Sequence, residues 1–138
     1  MSNIYKDPKT DEWHYPDSAY ILSETDARGI IIYANALFCE IAGYSLDELL
    51  GQPHSIVRHP DMPRAAFKGL WDDVETNGFW TGFVVNRRKD TGYYWVYSTV
   101  LRRVDREGKP SYLSIRTKPT RNSVEKYTKL YAELKDAE

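Results

Sequence analysis

Between residues 80 and 118 the sequence holds three strand-length runs, at 80–89, 93–104 and 110–118, rich in Val, Ile, Thr, Tyr and Trp and separated only by 90–92 and by 105–109, with its turn at 105–108. Short Asp- and Gly-containing connections between β-branched and aromatic runs make hairpins, so the three runs are expected as antiparallel neighbours in one sheet. Such a sheet needs cover, and the preceding chain supplies it. Residues 20–23 and 30–34 read as a further hairpin around the turn at 26–29. Asn35 can cap a helix carrying Phe38, Ile41 and Ala42 and stopped by Gly43, and Ser45 with Glu48 spells a capping box. Pro63 suits the first turn of a second long helix, in which Ala66, Phe67, Leu70, Trp71 and Val74 form an apolar stripe ending at Asn77 and Gly78. The expectation is an α+β domain: a five-stranded antiparallel sheet with helices packed across one face.

A chain of 138 residues has room for one core. We divide it into an irregular arm or short cap helix at 1–18, a domain at 19–120 and a terminal helix at 121–138 leading to an output module. In the arm, Trp13 and Tyr15 are the expected docking points. In the terminal helix Ser123 is the expected N-cap, and Val124, Tyr127, Tyr131 and Leu134 form a seam expected to dock on a sheet face.

Nineteen Lys and Arg against twenty Asp and Glu give a net charge of −1, which offers little long-range attraction to nucleic acid or anionic lipid. The lone cysteine, Cys39, forms no internal disulfide, and as a small hydrophobe on the first helix it is expected to have no redox role. Residues 1–18 lack the apolar stretch of a signal peptide, and no segment approaches the roughly 18 apolar residues of a membrane span. The expected setting is cytoplasmic, without direct membrane insertion. Any tether to the inner membrane face would come from a partner or a downstream segment. There is no Gly-rich phosphate loop, nucleophile motif or metal motif, so the chain is not expected to be an enzyme.

The motifs Y-A-N (33–35), I-A-G-Y (41–44), S-x-x-E-L (45–49), G-Q-P-H (51–54), R-H-P-D-M-P (58–63), W-x-G (80–82) and N-R-R-K (86–89) together resemble the PAS sensor domains. Over about residues 19–120 the chain is similar to the FAD-binding PAS domains of bacterial aerotaxis receptors. That resemblance implies a PAS fold, non-covalent FAD and signalling of redox or oxygen state for aerotaxis. It also implies a HAMP and chemoreceptor signalling module as partner, in cis or in trans, with a homodimer as a further option. By position it carries over Asn35, His54, Arg58, His59, Asp61, Trp71 and Asn86 as cofactor-binding residues. Light-sensing relatives carry a reactive cysteine in the stretch that here reads 52–56, and this chain has none there.

Read unaided, these residues leave alternatives open. On the run from Trp80 the even positions are Trp80, Gly82, Val84 and Asn86. Gly82 leaves a gap where a flat group could lie and Asn86 offers a donor and an acceptor, which suits a flavin edge; equally, Gly82 marks a bulge and Asn86 ends the strand. We assign Tyr94, Val96, Ser98 and Val100, then Leu113, Ile115 and Thr117, to the pocket side, and expect Trp95, Tyr97, Arg102 and Arg116 to face away. Arg58, His59 and Asp61 lie in a polar stretch where charges need partners or a polar ligand, and a local salt bridge is the plainer reading of Arg58 and Asp61. If flavin binds, a nearby cation stabilises its reduced anionic form, and Arg58 is the expected cation. Ordinary core packing is the plainer reading of Trp71. His54 and His59 are the candidates for a haem ligand, and a cofactor-free interaction module is the other rival.

Overall fold

The computed structural model describes residues 3–138, leaving Met1 and Ser2 of the expected arm outside the described residues. Its main sheet consists of β3 (Ile21–Asp26), β4 (Ile31–Ala34), β5 (Phe79–Arg87), β6 (Tyr93–Val104) and β7 (Pro110–Thr117), in the order β4-β3-β7-β6-β5, with every neighbouring pair antiparallel. The hairpin arithmetic of the sequence therefore holds. β3 ends up between β4 and β7, which joins the early hairpin to the late meander.

The helices form where their capping residues stand. Asn35 Oδ1 accepts from the Phe38 amide to start α1 (Ala36–Ala42), and Gly43 ends it with φ of 77°. The capping box of Ser45 and Glu48 opens α2 (Leu46–Leu49). After a 3₁₀ turn at His54–Val57, α3 (Arg64–Asn77) follows Pro63. Phe38, Ile41 and Leu49 bury against the inner sheet face with Ile21, Tyr94 and Val96, while Val74 of α3 joins Trp80, Val100 and Tyr112. The expected α3 stripe is thus only partly core: Val74 is fully buried, whereas Trp71 is 43% exposed, edge-on to Tyr112.

The opposite face is covered by α4 (Arg121–Asp136), whose Val124 and Tyr131 bury with Val85 and Trp95. Tyr131 donates to the Phe83 carbonyl, and Tyr127 sits 4.4 Å from the Phe83 ring. The seam docks on the sheet as expected, but Leu134 remains exposed and the N-cap is Thr120, not Ser123. The helix begins earlier because the Thr120 hydroxyl accepts from the Ser123 amide.

The N-terminal arm is not irregular throughout: β1 (Tyr5–Lys6) pairs with β2 (Trp13–His14), and Glu12 bridges to Tyr93. Tyr15 is buried and donates to the Trp95 carbonyl, while Trp13 lies under the Arg88 guanidinium at 3.7 Å. A buried ion pair end, Glu12, receives Arg121 of α4 through two hydrogen bonds of 2.9 and 3.0 Å. Among the described residues no helix is long and apolar enough to cross a membrane.

Candidate functional site

A cavity of about 310 Å³ lies between the inner face of β5–β7, α3 and the 3₁₀ turn, near the lower end of the range for ligand pockets, about 300 to 1,000 Å³. Its walls are mostly apolar, with Val84, Val100, Phe67, Leu70, Trp71 and Trp80. Its polar groups converge from the sheet and the turn: Asn86, Ser98, Ser114, Arg116 and His54. Asn86 is buried, with Nδ2 3.4 Å from the Tyr94 hydroxyl. Arg28 and Arg58, both exposed, line the open side.

Arg116 was expected to face away, and the structure places it inside. In an antiparallel sheet directly opposed residues share a face, and Arg116 opposes Ser98 while Ser114 opposes Val100. The inward set on β7 is therefore Tyr112, Ser114 and Arg116, and Leu113, Ile115 and Thr117 belong to the other face. Alternation alone misled because α4 and the arm make the outer face apolar as well. Parity could have been recovered by pairing Ser98 with Arg116 across the turn at 105–108. The same rule corrects Arg102, which shares the parity of Val100 and reaches Glu75 of α3 at 3.7 Å.

The Arg116 side chain is buried at 2% exposure. Its Nη2 donates to Ser23 Oγ at 2.6 Å and stands 2.7 Å from His54 Nε2, and its guanidinium lies 4.8 Å over the Phe38 ring. Because an arginine only donates, His54 Nε2 must be the acceptor and the imidazole neutral. Burial, then the Arg116 charge, pushes the His54 pKa down to about 3. Burial also lowers Arg116 to about 10, still well inside the charged range at neutral pH. Nη1 of Arg116 is buried without a hydrogen-bond partner among the described residues.

The other expected site residues divide. His54, Arg58, Trp71 and Asn86 line the cavity together. Gly82 does not open a gap: a Cβ there would stand 2.2 Å from the Trp80 indole, so the flat group over Gly82 is the side chain two residues earlier. Asn35 is used locally, accepting from the Leu22 and Phe38 amides and donating to the Tyr20 carbonyl. His59 and Asp61 lie elsewhere. The backbone of Arg58 bridges to Asn86 on β5, the edge strand of the sheet, and the Val85 amide donates to Met62 Sδ, so residues 58–62 wrap that edge. Arg58 stays on the cavity side, its guanidinium 4.3 Å over the Phe67 ring. His59 and Asp61, 3.8 Å apart, line a second groove of about 660 Å³ against α4, and the His59 ring meets Tyr93 edge-on.

The basic run after Asn86 is structural in part. Arg88 is buried and donates to the Glu40 and Ile41 carbonyls at the end of α1, and Lys89 pairs with Glu48. Cys39 is half-buried, and burial pushes its thiol pKa up. Among the described residues no group of three or more His, Cys, Asp or Glu could hold a metal ion.

Comparison with known proteins agrees with this architecture. The aerotaxis receptor of Escherichia coli (strain K12) is 44% identical over 119 residues, 86% of this chain and 23% of the receptor. A nitrogen fixation regulatory protein of Klebsiella oxytoca is 40% identical over 75 residues, 54% of this chain and 15% of that protein. The chain therefore spans less than a quarter of the length of these relatives. The crystal structure of the PAS domain of a protein from Colwellia psychrerythraea superposes with a TM-score of 0.66 at 25% identity, covering 75% of this chain and 90% of that one. A family model described as the PAS fold matches residues 31–116, more than half of the chain, and on that match together with the sheet order the chain belongs to the PAS fold family.

Proposed function

We propose that residues 19–120 form a sensor that holds FAD non-covalently in the inner-face cavity and reports redox or oxygen state for aerotaxis-type signalling, with 1–18 as its cap and 121–138 leading to the output. The observation that carries this reading is the pairing of an apolar slot with convergent buried polar groups, Asn86 and the unpartnered Nη1 of Arg116. Similarity to an aerotaxis receptor supports it. Bound FAD would supply reversible electron uptake, and the chain would act by binding and signalling without turning over substrate.

Each side chain has a task in this reading. Asn86 presents an amide to the ring edge, Val84, Val100 and Leu70 exclude water from the ring faces, and Trp71 closes one wall. The cavity volume suits the ring system, which leaves the nucleotide tail to the open side lined by Arg28 and Arg58. Residues 58–62 connect the cavity to the α4 face around the β5 edge, so a change in hydrogen bonding at Asn86 would be felt at His59, Asp61 and α4. The partner would be a HAMP and chemoreceptor signalling module in cis or in trans, and a membrane tether would come from that partner. The haem alternative is disfavoured because His54 Nε2 already accepts from Arg116 and His59 lies in the other groove, outside the cavity.

Purified protein is expected to be yellow and to release FAD on denaturation, identified by chromatography of the chromophore. FMN alone, haem, or no chromophore after expression with excess flavin would overturn the reading.

A further inference from the structure

We propose that Arg116, rather than Arg58, is the countercharge of the cavity: its buried guanidinium receives the negatively polarised edge of an aromatic ring ligand and makes the site prefer that ligand in its anionic form. The proposal deepens the flavin reading and rests on it for the identity of the ring.

Three observations carry it. Arg116 is 2% exposed and lines the cavity, while Arg58 is exposed to solvent. Its polar neighbours, Ser23 and His54, are uncharged, and burial and the phenols of Tyr94 and Tyr15 are what act on its titration, with no carboxylate among them. Buried charges are ordinarily paired, and here one donor, Nη1, is left with no partner among the described residues. A cation that lacks a protein counterion and keeps a free donor is matched by a ligand that brings the acceptor and the negative charge. Arg58 cannot do this as well, because water screens its guanidinium where it lies over Phe67.

The test compares wild type, Arg116→Gln, Arg116→Met, Arg116→Lys and Arg58→Gln, each stripped of flavin and checked for folding by circular dichroism. Oxidised and dithionite-reduced FAD are titrated in mildly alkaline buffer, where the reduced ring is negatively charged. Either neutral variant at 116 should lower the ratio of reduced to oxidised affinity by about tenfold or more, whereas Arg116→Lys and Arg58→Gln should stay within about threefold of wild type. An unchanged ratio in a folded neutral variant, or a larger change in Arg58→Gln, overturns the proposal. If wild type takes up neither form of FAD, the flavin reading fails. In that case, or if both neutral variants fail to fold, benzoate and benzamide decide the countercharge separately: a preference for benzoate that persists in Arg58→Gln supports it, and equal or absent binding of the two, or loss of the preference in Arg58→Gln, overturns it.

Discussion

The two faces of the sheet are built from alternate residues of the same strands, yet they do opposite things with polar groups. Tyr94 points inward beside Asn86 and its neighbour Trp95 points outward against Tyr131. The inner face keeps a cavity and accepts a buried cation, held by a serine and a neutral histidine. The outer face is taken up mostly by packing: Tyr127 and Tyr131 pack among Phe83 and Trp95, the arm joins α4 through Glu12 and Arg121, and the groove that holds His59 and Asp61 runs beside them. A face that must receive a ligand retains unsatisfied polarity, whereas one that must hold a helix spends its aromatics on packing. Residues 58–62, wrapped round β5, touch both.

The largest effect should come from charging the outer face. Arginine at both Tyr127 and Tyr131 would put cations against a buried aromatic cluster, costing roughly 3 kcal/mol or more of α4 docking. Amide exchange over 124–134 should lose its protection while the flavin is retained. Loss of the cofactor together with the helix would mean the two faces are one cooperative structure.

The inner face predicts a pH dependence. His54 has a folded pKa near 3 against 6.5 for the free side chain, so below 6.5 the unfolded chain takes up a proton that the folded one refuses. Stability should therefore fall as pH drops from about 6.5 toward 3, by at most about 1.4 kcal/mol per pH unit from this group. Urea unfolding between pH 6.5 and 5, where the carboxylates stay ionised, should show the slope in wild type and a flatter one in His54→Gln.

A smaller effect is expected at the junction of arm and helix. Glu12 is buried but Arg121 is more than half exposed, so solvent screens the pair and Glu12→Gln should cost about 1 kcal/mol, read as earlier exchange of α4 and not as a change at the cavity. The smallest belongs to Cys39. Cys39→Ala should change stability by within about 1 kcal/mol and leave the flavin spectrum unaltered, and the native thiol should label slowly because burial raises its pKa.

The candidate site was partly legible in the residues. Asn86 stood out as a donor and acceptor on an otherwise apolar strand face and Arg58 as a charge in need of a partner, while His54 came from the family resemblance, and all three line the cavity. Asn35 was carried over by the same resemblance, but its side chain is engaged in capping α1 and in holding that cap to the chain at Tyr20 and Leu22. His59 and Asp61 are close to Arg58 in sequence, yet the turn round the sheet edge carries them to the other face. Arg116 was assigned to the outer face because alternation on a strand covered on both sides does not say which set of side chains points inward.

Sequence alone determined the parts governed by short-range physics: the hairpin turns, the Asn35 cap, the capping box at Ser45, the Gly43 stop and the seam of α4. These depend on backbone sterics and on hydrogen bonds within a few residues. Tertiary structure decided which face each strand presents, because period-two alternation cannot choose between two buried faces and only the cross-strand register does. It also decided that the Trp80 indole lies over Gly82 and that Arg116 is the cation inside the cavity, since both follow from where the partner strands and helices come to rest.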